Sequence, residues 1–203
     1  MFPFDVILFD VGGVLLTNGW DHCERAKVLD HFHLDRAEFE ARHAAPNDAW
    51  ERDAITAKEY LDATVFYEPR SFSHDDFLQA IFAESQLLPN GALGILAELA
   101  ASDKCVLGVL NNEAREPNEH RFNRFCLRDY LQVAFSSCFL GLRKPGPAIY
   151  RRALDILGTP SERVLFIDDR AENAAGAASA GMKAIRFTDA DALRGELQSL
   201  AVL

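Results

Sequence analysis

"VLFIDDRAENAAGAASAG", residues 164–181, is the stretch on which the fold turns. A short apolar run meets two adjacent acids, and a stretch of small residues then closes on glycine. The apolar run is too short for a helix and reads as a buried strand of a parallel sheet. The small residues read as a helix whose end is marked by Gly181. Asp168 and Asp169 stand between the two, at the carboxyl end of the strand. Two like charges side by side are costly without a cation nearby.

The same unit recurs outward from this point. "VILF" (6–9), "CVLGVL" (105–110), "VAFSS" (133–137) and "KAIRF" (183–187) read as four more strands. Helical stretches separate most of them. "GALGILAELAAS" precedes residue 105, "NEHRFNRFCLRDYL" follows 111, and "PAIYRRALDILG" closes on Gly158. Alternating strands and helices predict an α/β fold with a doubly wound parallel sheet. Residues 18–86 break the alternation. They contain no strand run, but they hold three helix-start signals, Asp35 with Glu38, Thr56 with Glu59 and Ser73 with Asp76. The expected organisation is an α/β core of residues 1–17 plus 87–203, with an all-helical insertion at 18–86. Such an insertion would stand over the carboxyl end of strand one, where open α/β sheets bind ligands.

Composition narrows the function. The 203-residue chain carries a formal net charge of −10. That argues against nucleic acid as the main partner, because phosphate neutralisation needs Lys/Arg clusters. A small phosphorylated ligand needs only a local pocket and is still compatible. The four cysteines, Cys23, Cys105, Cys126 and Cys138, form no C-x-x-C pair, which argues against a zinc site. Cys105 reads as a reduced core thiol, and the expected setting is a reducing one, cytoplasmic. The opening "MFPFDVILFD" lacks a basic region and carries Asp5 within its short apolar stretch. It reads as neither a signal peptide nor a membrane span.

Four places hold candidate chemistry: Asp10 after strand one, Asn111 and Asn112 after strand two, Lys144 in "GLRKPGP", and Asp168 with Asp169. Taken singly, an acid after a strand is usually a turn or cap residue, a lysine a solvated charge, and paired asparagines turn formers. Taken together at one sheet rim, they suit phosphoryl transfer. Carboxylates hold Mg²⁺. A carboxylate can attack phosphorus and form an aspartyl-phosphate. Lysine supplies a point charge for phosphoryl oxygens, and backbone N–H groups of a glycine turn approach them closely.

"ILFDVGGVL", "VLGVLNN", "GLRKPGPAIY" and "VLFIDDRAENAAGAASAGM" resemble, in order and spacing, the four motifs of the haloacid dehalogenase-like hydrolase superfamily. The resemblance implies a Rossmann-like core, a small helical cap and a Mg²⁺-dependent phosphatase. Carried over by position, it makes Asp10 the nucleophile and a metal ligand, with the Gly12 carbonyl a second ligand. Asn111 takes the place of a phosphoryl-binding Ser or Thr, Asn112 follows it, and Gly13 lies in the phosphate-facing turn. Lys144 neutralises phosphoryl and nucleophile. Asp169 binds the metal directly, Asp168 does so through water or stands behind the direct ligands, and Asn173 supports that loop.

Two positions depart from the pattern. Asn111 replaces Ser or Thr, although an amide still donates to a phosphoryl oxygen. Gly12 replaces the second acid of the usual D-x-D, the group that protonates the leaving oxygen. General acid–base help is worth about 10²–10⁴-fold. Three readings follow: a phosphatase for esters with good leaving groups, an enzyme that recruits another acid, or a weak or inactive binder of phosphometabolites. Gly at this position resembles sugar-phosphate phosphatases. A 2-haloacid dehalogenase, which needs no second acid, is a further alternative, although the paired acids at 168–169 fit it poorly. Arg115 and His120 are candidate replacement groups. Within the insertion, Trp20, Trp50, Arg52, Tyr60, His22 and His43 are candidate substrate contacts, while His31 and His33 read as surface residues.

Overall fold

The computed structural model describes residues 2–203. Five parallel strands, β1 (Val6–Phe9), β2 (Val106–Asn111), β3 (Val133–Ser136), β4 (Val164–Asp168) and β5 (Lys183–Arg186), form one sheet in the order β3-β2-β1-β4-β5. The chain winds outward from β1 through β2 to β3, then crosses to β4 on the other side of β1. The switch point therefore lies between β1 and β4, with its crevice at their carboxyl ends. Alternation along the strands sorts the core. Ile7, Phe9, Leu107, Val109, Leu165 and Ile167 bury one face. Val6, Leu8, Leu110, Val164 and Phe166 bury the other.

Helices cover both faces. Between β1 and β2 lie α1 (His22–His31), α2 (Arg36–Glu51), α3 (Ala57–Thr64), α4 (His74–Ala83) and α5 (Leu93–Ser102). After β2 come α6 (Arg115–Arg124), the short α7 (Ser137–Leu140), α8 (Pro147–Leu157), α9 (Ala171–Ser179) and α10 (Ala190–Ser199). The strand readings shift by one residue at several ends. Cys105 precedes β2 and is half-buried, packed at the margin of the core. Ser137 opens α7 rather than closing β3. Helix α9 stops at Ser179, capped by Ala180, with Gly181 one residue beyond in the left-handed region (φ 91°). Helices α1 and α10 start at the N-caps Asp21 and Asp189, signals additional to those read above.

The three start signals fall at true N-caps. Asp35 accepts from the Glu38 N–H, and Thr56 with Glu59 and Ser73 with Asp76 form reciprocal capping boxes. Helices α1–α4 share a separate apolar cluster around Trp20, Leu29, Phe39, Trp50, Tyr60 and Phe77. Two chain crossings join this layer to the sheet, and they run side by side. The Thr17 N–H donates to the Gln86 carbonyl and the Gln86 N–H to the Thr17 hydroxyl, each at 2.9 Å. Among the described residues no helix is long and apolar enough to cross a membrane.

Candidate active site

The register of the sheet sets the site. Phe9 pairs with Ile167, so the next residues, Asp10 and Asp168, leave adjacent strands at the same level and on the same face. That is the face of Leu8 and Phe166, and Lys144 reaches across it. Its Nζ lies 3.0 Å from Asp10 Oδ1 and 2.7 Å from Asp168 Oδ2, with the lysine side chain 1 % exposed. Ligand oxygens of Asp10, Asp168 and Asp169 all fall within 4.8 Å of one another. Two of the three carboxylates thus share one lysine.

Burial makes that arrangement electrostatically incomplete. Desolvation pushes the Asp10 carboxyl up to about 7, with Asp168 adding to the rise and Lys144 opposing it. Asp169 is likewise raised, first by burial and then by Asp168. Asp168 is the most fully satisfied of the three. Besides Lys144 it accepts from the Arg170 N–H at 2.9 Å and from the Asn173 amide at 3.0 and 3.1 Å. Asn173 is held in turn by the Tyr150 hydroxyl, which donates to its carbonyl at 2.9 Å. Asp169 Oδ1 is buried without a hydrogen-bond partner.

The glycine turn after β1 makes room for this cluster. Gly13 is left-handed (φ 71°), and a Cβ there would stand 2.4 Å from Asp169 Oδ2. At Gly12, where a second acid is absent, a Cβ would stand 3.2 Å from Asn18 Oδ1. Both requirements come from the tertiary surroundings of the turn.

The two asparagines after β2 separate. Asn111 continues the face of Leu107 and Val109, opposite to that of Asp10. Its amide donates to Asn118 Oδ1 at 3.0 Å and its carbonyl accepts from the Ser136 hydroxyl at 2.8 Å. It does not line the cavity, contrary to its expected phosphoryl contact. Asn112 does line it, and its amide pairs with the Lys144 peptide, donating to the carbonyl at 2.9 Å and accepting from the N–H at 2.8 Å. Strand periodicity is the signal that separates them.

A cavity of about 450 Å³ opens between the sheet rim and helices α1–α2. Asp10, Gly12, Asn112, Lys144 and Asn173 line its floor, and Asn18, Arg25, His43, Asn47 and Glu51 line its wall. Of the other sequence candidates, Trp20 and His43 line the cavity, and His22, Trp50, Arg52, Tyr60, Arg115 and His120 lie elsewhere. Trp50 is buried and stacked on Tyr60, its indole N–H donating to Glu116 at 2.9 Å. Arg52 pairs with Asp48 on the surface. Arg115 pairs with Asp53. His120 stacks on Phe82, with Nε2 sealed from solvent. Sequence reading gave Arg143 and Glu51 no role. They meet at 2.6 Å across the cavity, and Arg143 also holds Asp48 at 2.6 Å. Arg170 ties Asp21 at 2.8 Å.

Comparisons with known proteins agree with this fold. Residues 4–181 match the family model described as haloacid dehalogenase-like hydrolase. The chain is 38% identical to the flavin mononucleotide hydrolase 1 of Arabidopsis thaliana over 76 residues, covering 37% of this chain and 31% of that one. It is 30% identical to the sesquiterpene phosphatase astK of Aspergillus oryzae over 107 residues, covering 52% and 54%. The chain thus spans less than two thirds of the length of these curated relatives. Its fold is shared with a HAD family enzyme of Bacteroides thetaiotaomicron solved in complex with magnesium and inorganic phosphate. The TM-score is 0.74 at 20% identity, covering 92% of this chain and 95% of the other. A family match that spans most of the chain, on a fold shared nearly end to end, makes this protein a member of the haloacid dehalogenase-like hydrolases.

Proposed function

We propose that the protein is a Mg²⁺-dependent phosphatase acting on a small phosphorylated metabolite through an aspartyl-phosphate on Asp10. The observation that carries this is the convergence of Asp10, Asp168 and Asp169 on one rim with Lys144 alone among them. Lys144, with Arg170 on the flank of Asp169, leaves three carboxylates, two of them buried, short of positive charge, and carbon chemistry at Asp10 would leave that repulsion unrelieved.

The residues fit a divalent ion. Asp169 Oδ1 is buried and unpartnered, the Asp168 oxygens are already taken, and Gly13 keeps a side chain out of the space beside Asp169. Asp169 and Asp10 would bind the metal directly, with the Gly12 carbonyl beside them and Asp168 acting through water. When bound, Mg²⁺ offsets the repulsion between the phosphate and the attacking carboxylate. Lys144 and the Val11 N–H, the latter at 2.7 Å, fix the orientation of the Asp10 carboxylate, one oxygen of which would form the bond to phosphorus. The ester oxygen then departs, and water cleaves the acyl phosphate to restore Asp10. Lys144, in contact with both Asp10 and Asp168, supplies charge compensation. Helices α1–α4 act as a cap that selects the rest of the substrate.

The cavity wall is polar, and Trp20 is the one Trp, Tyr or Phe among the described residues that line it. That favours a hydroxyl-rich substrate such as a sugar phosphate over a flavin or a terpenoid, each of which calls for apolar faces. With Gly12 in place of an acid, sugar 1-phosphates, acyl phosphates and aryl phosphates suit the site best.

The test is hydrolysis of a panel of phosphate esters, with and without Mg²⁺. Metal-dependent turnover that Asp10→Asn abolishes is the expected result. Turnover that survives either change overturns the mechanism, and metal binding without turnover of any ester favours a binding role. Rates should also fall steeply as leaving-group pKa rises. A flat dependence, with phosphoryl transfer rate-limiting, would show that another acid replaces the one missing at Gly12.

A further inference from the structure

We propose that His43 is a substrate-selecting residue, an imidazole locked as the Nε2–H tautomer that donates a hydrogen bond to an oxygen acceptor on the non-phosphate part of the substrate. This rests on the phosphatase reading and names one contact by which the helical wall would select a hydroxyl- or carbonyl-bearing leaving group.

The tautomer follows from donor counting. The Trp20 indole can only donate, and its Nε1–H points at the Tyr60 hydroxyl oxygen at 2.8 Å. Tyr60 is fully buried, and its own proton has His43 Nδ1 as acceptor, also at 2.8 Å. Trp20 therefore donates to Tyr60, Tyr60 donates to Nδ1, and the ring proton is left on Nε2. That nitrogen has no protein partner among the described residues and is not sealed from solvent, and His43 lines the cavity. The ring cannot swing away. Phe39 stacks on it at 5.5 Å, and Trp50 stacks on Tyr60 at 4.4 Å. Helices α2 and α3 and the segment before α1 thus fix the ring at the cavity.

Charge supports the assignment. Burial lowers His43 to about 4, and Arg25 of α1 and Arg143 beside Lys144 lower it further than Glu40 and Asp21 raise it. The ring is therefore neutral at physiological pH. A neutral imidazole is a poor acid, so His43 supplies an oriented donor and leaves the leaving-group proton problem unsolved.

Two measurements test the proposal on the full-length protein. The first is ¹⁵N NMR of the His43 ring. The expected result is Nε2–H with an accepting Nδ1, neutral down to about pH 5, and a mixture of tautomers in Tyr60→Phe. An Nδ1–H ring or an imidazolium at pH 6 overturns the proposal. The second is the ratio of kcat/KM on a panel of aldose 1- and 6-phosphates to that on p-nitrophenyl phosphate. His43→Leu should lower this ratio about tenfold, mainly through KM, and His43→Gln, which keeps an N–H donor, should restore most of it. Equal losses on both substrates, or no rescue by Gln, mean that His43 is merely structural. A wild-type protein inert to every ester overturns the phosphatase reading and the substrate contact with it. The NMR result separates that failure from a wrong tautomer.

Discussion

The rim and the wall of the cavity are built on opposite principles. At the rim, Asp10, Lys144, Asp168 and Asp169 are charged, close together and short of positive charge. Behind the polar wall, Trp20, Tyr60 and His43 are aromatic and joined donor to acceptor, with Trp50 stacked on Tyr60. The rim is held by a sheet whose strands meet in fixed register, and the wall by the packing of α1, α2 and α3. A rim of that kind can concentrate reactivity because the sheet cannot relax the repulsion away. The wall can discriminate because each of its donors has one place to point.

The strongest way to break this contrast is at the rim. Asp10→Asn should reduce turnover by at least about 10³-fold, because it removes the atom that forms the bond. Single-turnover assays should show no phosphorylated protein, while the fold persists by circular dichroism. Lys144→Ala comes next. It strips the cation from buried Asp10 and Asp168, and chemical denaturation without metal should show a loss of about 3–5 kcal/mol. Restoration of part of that loss by added Mg²⁺ would sharpen the picture of a rim short of cations.

The wall should respond to pH instead. His43 has a folded pKa of about 4, below the ordinary 6.5. As pH falls, the unfolded chain takes up this proton first, so stability is full above about 6.5 and is lost progressively towards 4. Between pH 7 and 4.5 the wild type should lose about 2–3 kcal/mol more than His43→Gln does, read from urea midpoints. The smallest effect is expected at Trp50→Phe. It removes the bond to Glu116 but keeps an aromatic ring on Tyr60, costing about 1 kcal/mol in thermal unfolding. A larger loss there than at Lys144 would invert the comparison.

The two regions also differ in how legible they were in the sequence. The rim was readable because each part sits in a short local motif, and strand ends in a parallel sheet converge by topology. Asp10 and Asp168 could be placed together before any coordinate was known. Strand alternation puts Asn111 and Asn112 on opposite faces of β2, but which of those faces carries Asp10 is decided only by the register with β1. The wall was opaque for a different reason. Its donor chain links residues 20, 43 and 60, whose spacing follows no single helix period and whose contact exists only once three helices pack. Trp50 stood out in the sequence as a candidate contact, yet its ring serves to brace Tyr60.

Asn112 shows how position and reactivity are divided in this site. Its amide binds both the N–H and the carbonyl of residue 144, as a neighbouring strand would. The loop between α7 and α8 is thereby pinned through its backbone, by bonds separate from those its lysine side chain makes to Asp10 and Asp168. Where the charge sits is written in an asparagine 32 residues upstream of it, and what the charge is belongs to the lysine alone. The length or chemistry of that side chain can change without the loop losing its place, so the site's charge can be altered separately from its framework.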